Sequence, residues 1–404
     1  MIGVVFLMVV YFGINQLILN AYAKTRKNFS KGKMNLLYLY HLVFFGIYLW
    51  YAYNNPSDSH HYYDYLSFHI GDWFSTFGTD TKFINFLSYP FYHMGFSYEM
   101  LMLTFAWLGY IGFIYTYLFF RDNIPLNVTV FKNIDLLSLL LFLPNMHFWT
   151  ASLGKGAPIF LGLMMFAYAV VKPKKRLFLL VLAGLIIFYI RPHVFFFVAV
   201  GMALGYLSGN ENVSFGKKMF IFGATIVILV LSQDKILAVV NLQGSENVIE
   251  DFQDFSESRS EDLSASGSGV DMSSYPLPFK LFTFWFRPLF IDAPNILGIF
   301  TSFENLIYLL LFFKILKKDF IRFLKKSPSY VKMSFIIFLL TSFAMTFIMS
   351  NLGIIMRQKS MVMYFLFFII YYYLAQKKYT RIMRIRRIKL LKERKSKEKE
   401  LVSA

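Results

Sequence analysis

Residues 331–350 read VKMSFIIFLLTSFAMTFIMS, and residues 353–375 read GIIMRQKSMVMYFLFFIIYYYLA. Each stretch supplies the roughly 20 mainly apolar residues that an α-helix needs to cross a bilayer. A strongly basic segment begins at Lys377, soon after the second stretch. Because basic flanks of membrane helices stay in the cytoplasm, these residues predict two consecutive spanning helices followed by a cytoplasmic tail.

The composition of the whole chain also indicates a membrane protein. Its 404 residues are 57% hydrophobic and 20% aromatic, which a soluble enzyme of this size could not keep in solution. The net charge of +18 lies in short basic clusters between apolar stretches, a pattern typical of membrane topology and not of nucleic-acid binding. The chain has no cysteine, which excludes disulfides, thiolate nucleophiles and cysteine-ligated metal sites.

Hydropathy predicts an all-α, polytopic bundle of about eleven transmembrane helices in one domain, residues 1–375, with a basic tail at 376–404. The apolar N-terminus lacks a basic n-region, so we expect a retained first helix. Two segments are short and Pro144 interrupts a third, so tilted, re-entrant or kinked helices are expected there. The eleven segments are 2–22, 34–53, 99–120, 134–153, 157–171, 177–190, 193–208, 219–240, 295–316, 331–350 and 353–375.

The positions of Lys and Arg predict the orientation of the chain. Every second connection, together with the tail, is rich in these residues and holds 32 of the 41. Positively charged connections stay on the cytoplasmic side, so the N-terminus is predicted to lie outside and the C-terminus in the cytoplasm. The outer side then holds two long loops, near 54–97 and 241–295, and short turns near Lys155, Arg191 and Asn351. Within the second loop, Gly244 to Ser274 has the Ser-, Gly- and acid-rich composition of a flexible lid.

Five basic residues lie against this topological rule, within or at the edge of apolar segments on the outer side. An arginine near the bilayer centre costs about 2.5–3.5 kcal/mol on insertion scales, so such residues usually face a protein interior or a wet cavity. We call them the five outer cations: Lys155, Arg191, Arg287, Arg357 and Lys359.

Small residues and prolines surround three of these cations. Lys155 lies in SLGKGAP, from Ser152 to Pro158, whose small residues would let a backbone approach a ligand. Arg191 precedes a proline, as Arg287 does, and proline begins helices well. The free N–H groups of a helix start can bind an anion.

Several cations around an outward cavity favour a multivalent anion, because guanidinium groups bind phosphate oxygens in bidentate fashion. A polyprenyl pyrophosphate fits this requirement. The alternative is that each cation snorkels to lipid phosphates or pairs with an outer carboxylate. The carboxylates available for such pairs are Asp58, Asp80, Asp292 and Glu304.

Other titratable and aromatic residues are candidates for further roles. The run from Asp58 to Asp64 contains His60 and His61, and three readings stay open: a metal site, a general acid/base pair or a solvated interfacial turn. His193, two residues after Arg191, is a candidate general base. The remaining candidates are Glu304, as a neutralising partner of Arg287, and Trp285 and Trp149, as platforms for a sugar ring.

Several of these runs together resemble the Wzy and EpsG polymerases of bacterial polysaccharide clusters, which make O-antigen, capsule or exopolysaccharide. The resemblance covers most of the chain from Asp58 to Lys359 but not the acidic loop or the tail. One departure is Gly156, where the family pattern often has an acidic residue after the glycine-lysine pair. The runs are PNMHFWTASLGKGAP from Pro144, RPH from Arg191, FRPLFIDAPN from Phe286, ENL from Glu304 and NLGIIMRQKSM from Asn351.

The resemblance implies a glycan polymerase at the outer face of the cytoplasmic (inner) membrane. It would move a growing glycan from undecaprenyl pyrophosphate onto an incoming lipid-linked repeat unit, with no metal or other cofactor. Arg191, Arg287 and Arg357 would stabilise the leaving pyrophosphate, and His193 or an outer carboxylate would take the acceptor proton. The remaining predicted substrate-binding residues are Ser152, Lys155, Lys359, Asp58, Asp64, Glu304 and Trp285. Its partners would be the lipid bilayer and other polysaccharide export and chain-length proteins, and no nucleic acid.

Two further functions stay open at this point. A GT-C-like glycosyltransferase that uses a polyprenyl-phosphate sugar would depend on the carboxylates of the first outer loop, Asp58 and Asp64. A transporter of lipid-linked glycans or anions would use a cationic cavity equally well.

Overall fold

The chain is almost entirely helical. The computed structural model describes residues 2–69, 71–209, 214–238, 242, 247–264, 269–270, 272, 275–293 and 295–403. Within these residues, one small hairpin interrupts the helices: strands β1 (Thr129–Val130) and β2 (Ile134–Asp135) pair antiparallel. The predicted all-α class is confirmed.

The described α-helices follow one another along the chain as α1 to α17. They are α1 Ile2–Thr25, α2 Lys31–Asn54, α3 Asp58–Phe68, α4 Thr81–His93, α5 Tyr98–Asn123, α6 Leu136–Leu141, α7 Pro144–Trp149, α8 Gly156–Val170, α9 Leu177–Ile190, α10 Pro192–Ser208, α11 Phe215–Ala238, α12 Val248–Ser264, α13 Leu277–Phe286, α14 Ile296–Phe312, α15 Lys318–Lys326, α16 Ser329–Ile348 and α17 Leu352–Ser403. Single 3₁₀ turns lie at Trp73–Thr76, Pro173–Lys175 and Phe290–Asp292.

Five of the described helices are long and apolar enough to cross a membrane: α1, α2, α5, α11 and α16. A sixth span results if the two parts of α17, Leu352–Lys359 and Met361–Arg394, count as one despite the 53° bend between them. The other predicted segments form shorter apolar helices. A multi-pass helical membrane bundle is therefore supported, while eleven crossings and their orientation stay predictions.

Large apolar side chains on the outside of the bundle agree with a lipid environment. On α11, the side chains of Phe220 and Leu231 are 76% and 82% exposed. On α1, Phe6 is 65% exposed. Monomeric soluble proteins rarely expose large apolar patches of this kind to water. The interior is centred on α5, which packs against α1, α2 and α8.

The connections are more ordered than their composition predicts. The loop near 54–97 contains helices α3 and α4, which pack on each other. Their buried faces consist of residues at helical spacing, namely Ser59, Tyr62 and Leu66 on α3 and Ile84, Asn85 and Ser88 on α4. Part of the predicted lid forms helix α12, which packs on α16, and the rest of that stretch includes residues outside the described part. Pro144 interrupts its apolar segment as expected, since α6 ends at Leu141 and α7 begins at Pro144.

Candidate functional site

The turn between α7 and α8 presents Lys155, and glycines shape it. Gly154 has φ +145°, a conformation that favours glycine. At Gly156 a Cβ atom would lie 2.2 Å from the carbonyl oxygen of Trp149, so only glycine fits there. The small residues of SLGKGAP thus allow the close approach of the chain to its own backbone. Their role towards a ligand stays a prediction.

Replacing Gly156 with alanine is expected to destabilise the protein by about 1–3 kcal/mol, because backbone atoms must move apart to accept the methyl group. The yield of folded protein after detergent extraction, measured by size-exclusion chromatography, checks this. Gly46→Ala is the matched control, since a Cβ there has no other atom within 4 Å. Equal yields of the two variants would contradict the expectation.

Arg191 lies at the break between α9 and α10, where it follows the last residue of α9 and precedes the first residue of α10. Its N–H donates to the carbonyl of Ile187 over 2.8 Å, which ends α9. Its own carbonyl accepts from the N–H groups of Val194 and Phe195, which begins α10 with Pro192 in the first turn. The first outer loop reaches the same point, because the N–H of Asp80 donates to the carbonyl of Tyr189 over 2.7 Å.

Arg357 lies on the first part of α17, before the bend, and faces the first outer loop. Its Nη1 donates to Oδ2 of Asp58 over 2.7 Å, and its guanidinium carbon lies 5.8 Å from the ring centroid of Trp149. The two ion-paired residues are 299 positions apart in the sequence. Helix α3 is thus tied to α17 at this point.

Three of the five outer cations come together, and we call Lys155, Arg191 and Arg357 the cationic cluster. The charges of Arg191 and Arg357 act on each other and on Lys155. Arg191 and Arg357 line one small cavity of about 10 Å³, room for a single water molecule. Its other lining residues are Met146, Trp149, Thr150, Gly156 and Met361.

Two carboxylates offset most of the cluster's charge. Asp58 pairs with Arg357, and Asp80 accepts from the ammonium of Lys155. Among the described residues, the buried Nε of Arg191 has no hydrogen-bond partner. Three cations and two carboxylates leave one excess positive charge, and Arg191 carries an unused donor.

The pairing holds both carboxylates in their ionised form. Burial opposes ionisation of Asp58, but the hydrogen bond and charge of Arg357 outweigh it and lower the pKa of Asp58. Burial also opposes ionisation of Asp80, but the hydrogen bond and charge of the Lys155 ammonium outweigh it and lower the pKa of Asp80. The pKa of Lys155 is lowered by burial and by the charges of Arg191 and Arg357, which Asp80 offsets only in part.

The lowered pKa of Asp80 predicts a pH dependence of stability. The folded-state pKa lies below the unfolded value of about 4, so the pair stabilises the fold above about pH 4 and is lost as the pH falls through the folded-state pKa. The thermal midpoint of Asp80→Asn is expected to lie below that of the parent at about pH 7, with the gap closing towards about pH 3. A gap that does not depend on pH would contradict the ion pair.

The other two outer cations have different partners. Arg287 binds the carboxylate of Asp292, and the described contacts do not join it to the cationic cluster. Lys359 is fully buried and donates to the side-chain oxygen of Asn305 and, over 2.9 Å, to the carbonyl of Arg287. Lys359 thus holds the Arg287 loop in place, although the two basic side chains point to different groups.

Glu304 does not neutralise Arg287, so that expectation is wrong. One carboxylate oxygen accepts from the N–H of Asn145 over 2.7 Å, and the other accepts from the hydroxyl of Tyr308. The side chain of Asn145 donates in turn to the carbonyl of Met356 over 2.9 Å and accepts from the indole of Trp149 over 3.1 Å. This network ties α14 and α17 to the start of α7.

The remaining predicted site residues occupy varied positions. His193 lies near the cluster, where the charges of Arg191, Asp80 and Lys155 act on it, and its buried Nδ1 has no partner among the described residues. Ser152 is buried in the α7–α8 turn. Asp64 is exposed on α3, away from the ion pairs. Trp285 packs inside the bundle, where its indole donates to Ser342.

No group of three His, Asp or Glu side chains in the described part of the chain is placed to hold a metal ion. His60 instead binds the carbonyl of Ala52 over 2.9 Å and stacks on Tyr98. The helical spacing expected of His60 and Asp64 is present, because both lie on α3.

An apolar cleft of about 680 Å³ lies beside the cationic cluster. Helices α2, α7, α14 and α17 form its walls, and Glu304 and Asn145 are polar residues in its lining. Phe300 and Phe303 of α14 are 64% and 58% exposed, so the cleft opens sideways from the bundle. Trp149 lines both this cleft and the small cavity of Arg191 and Arg357.

Asn145, which accepts a hydrogen bond from Trp149 and lines the apolar cleft, had no role predicted from the sequence. The sequence did contain a signal for this role, because Asn145 directly follows a proline that interrupts an apolar segment. Such a proline leaves backbone groups without helical partners, and a polar residue beside it indicates a buried hydrogen bond. Comparison with known proteins adds no identification: no family model, curated protein or solved structure matches the chain.

Proposed function

We propose that this chain is a membrane polymerase that transfers a growing glycan from undecaprenyl pyrophosphate to an incoming lipid-linked repeat unit, at the outer face of the cytoplasmic membrane. The observation that carries the proposal is the cationic cluster, in which Lys155 and Arg357 each form an ion pair. The buried Nε of Arg191, by contrast, has no hydrogen-bond partner within the described part of the chain. A diphosphate supplies the multivalent acceptor that such a group lacks.

The apolar cleft supports a lipid-linked substrate. Its volume of about 680 Å³ falls within the range of small-molecule sites, and its open side faces the surroundings of α14, which are lipid in a membrane-spanning chain. An isoprenoid chain would lie in the cleft with its pyrophosphate near Trp149 and Arg357, since Trp149 lies between the two regions. One substrate would then lie in the cleft and reach the edge of the cationic cluster at Trp149 and Arg357.

In the proposed reaction, a hydroxyl oxygen of the incoming repeat unit attacks the anomeric carbon of the growing glycan. The bond from that carbon to the pyrophosphate oxygen breaks, and undecaprenyl pyrophosphate leaves with the electron pair. Arg191 and Arg357 would stabilise the negative charge on the leaving group. The carrier itself provides the leaving group, so the reaction requires no nucleotide.

The hydroxyl proton needs an acceptor, and two residues at the cluster are candidates. Asp58 is ionised and its side chain is 60% exposed, so an acceptor sugar can reach it. The Nδ1 of His193 has no partner among the residues that the structure describes, but that atom is buried. Accessibility favours Asp58 as the base, and its bond to Arg357 would orient the carboxylate.

Deletion of the gene in its source bacterium tests the proposal. The deletion strain is expected to display glycans of one repeat unit where the parent displays long chains, as measured by gel electrophoresis of surface polysaccharide. Unchanged long chains would overturn the polymerase. A loss of all surface glycan, with lipid-linked units retained on the cytoplasmic side, would favour the transporter instead.

Variants of α3 separate the polymerase from a glycosyltransferase that depends on loop carboxylates. Asp58→Ala is expected to impair either enzyme, because it releases Arg357 from its ion pair. Asp64 is exposed and lies outside the cluster, so Asp64→Ala should leave chain length unchanged in the polymerase. Loss of activity in Asp64→Ala would favour the glycosyltransferase.

A further inference from the structure

Two buried histidines face each other inside the helical domain, apart from the proposed site. His41 of α2 is 1% exposed and His147 of α7 is fully buried. Their Nδ1 atoms lie 2.9 Å apart, a hydrogen-bond distance. The His147 ring stacks on Phe113 with centroids 4.0 Å apart and planes within 7°.

The outer nitrogens of both rings meet backbone carbonyls. Nε2 of His41 lies 2.9 Å from the carbonyl oxygen of Ala106, and Nε2 of His147 lies 2.7 Å from that of Leu141. A carbonyl oxygen can only accept a hydrogen bond. Each Nε2 atom therefore needs a proton for its contact to be a hydrogen bond, and two neutral rings can supply protons to only two of the three contacts.

The proton count then exceeds what two neutral rings can supply. A neutral imidazole has one proton, and here each ring uses it at Nε2. Two unprotonated Nδ1 atoms would turn lone pairs towards each other at 2.9 Å, whereas a hydrogen bond needs a proton between them. Flipping either ring would replace each of its two nitrogens with a carbon atom at that position, and two hydrogen bonds would be lost. The observed orientation is therefore the favoured one.

We propose that His41 and His147 share one proton and together carry a single positive charge. Three hydrogen bonds then use three protons on two rings, and each bond involves the charged pair. The faces of Phe113 and the ring of Tyr40, 4.8 Å from His147, provide π-electron density around the cation.

The surroundings of the pair contain no carboxylate to neutralise it among the described contacts. The titratable neighbours are Tyr40 on α2 and Tyr364 on α17, which contacts Phe113. Helix α5 contributes Phe113 and the carbonyl of Ala106, and α6 contributes the carbonyl of Leu141. Burial of both rings opposes the positive charge, whereas the carbonyls of Ala106, Thr150 and Leu141 favour it by accepting hydrogen bonds.

The shared proton holds α7 against α2 and α5. Helix α7 also carries Asn145, which binds Glu304, and Trp149, which separates the apolar cleft from the cationic cluster. The pair is thus a bound-proton site that positions this short helix. The inference depends on hydrogen-bond geometry alone and stands whether or not the chain is a polymerase.

Solid-state ¹⁵N NMR of the full chain in lipid bilayers tests the proposal, with ¹⁵N-labelled histidine and a sample at about pH 7. The chain has seven histidines, few enough to resolve. We expect one pair of rings with both Nε2 atoms protonated and a scalar coupling between two Nδ1 atoms through a shared proton. The coupling shows in the parent protein that two histidine rings share a proton.

Two variants assign the signal. His147→Asn is expected to abolish the coupling and to leave His41 as a neutral ring protonated at Nε2. His69→Gln, which removes a half-buried ring just after α3 that contacts Ser75, is expected to leave the coupling unchanged. A parent spectrum in which every Nδ1 is unprotonated, or in which no nitrogen pair is coupled, would overturn the shared proton.

Discussion

Replacing Arg191 with glutamine is expected to slow chain elongation at least about 100-fold, or about 2.7 kcal/mol in transition-state stabilisation. Arg191 is the cluster cation whose Nε has no partner among the described residues. Its substitution removes the donor that we propose binds the pyrophosphate, and it breaks no described ion pair of a carboxylate. The yield of folded protein should change little for the same reason. Elongation is measured as the rate of polymer formation in membranes supplied with lipid-linked repeat units.

Two further variants control for charge and for geometry. Lys82→Gln removes one positive charge from the exposed surface of the first outer loop, near 54–97, and should keep full activity. Arg191→Lys keeps the charge but loses the planar fork, so an intermediate rate is expected. Equal losses in Arg191→Gln and Lys82→Gln would show that overall charge, and not the cluster, supports the reaction.

Replacing Glu304 with alanine is expected to prevent accumulation of folded protein. The change leaves the N–H of Asn145 and the hydroxyl of Tyr308 without their buried acceptor, and each unsatisfied group costs about 1–3 kcal/mol. The volume of the lost side chain adds a cavity term of similar size. Together these costs approach the whole stability of a typical domain, about 5–15 kcal/mol.

Glutamine at the same position separates the hydrogen bonds from the charge. Its oxygen can accept from Asn145, and its amide can donate to Tyr308, whose hydroxyl both donates and accepts. Folded Glu304→Gln should therefore accumulate to near the parent level, and its thermal midpoint of unfolding should lie close to that of the parent. Loss of folded protein in both variants would mean that the ionised carboxylate itself is required, for example by the buried Lys359.

The fold was predictable where apolar runs are long. Each of the eleven predicted segments falls on one or two helices, and Pro144 marks the break between α6 and α7. The helices α3 and α4 were not predicted, because their aromatic and polar residues lack a continuous apolar run. Whether short helices such as α8 and α9 cross the bilayer depends on tilt and on lipid, which hydropathy does not record.

The site was predictable in its residue types but not in its pairings. Sequence analysis named Asp58, Asp80 and Asp292 as alternative partners for the outer cations, and the structure pairs all three with such cations. Nothing local could assign Asp58 to Arg357, since the two lie 299 positions apart and meet through the long-range packing of the helices. The separation of Arg287 and Lys359 from the cluster depends on the same long-range packing.

The most direct test of the central claim is reconstitution of the purified chain in lipid nanodiscs. Lipid-linked repeat units extracted from the deletion strain serve as the substrate. The account predicts a ladder of longer lipid-linked glycans and one undecaprenyl pyrophosphate released per bond formed, with neither product from Arg191→Gln. Unchanged repeat units, combined with flux of the same lipid across liposomes that contain the parent protein, would contradict the polymerase and identify a transporter.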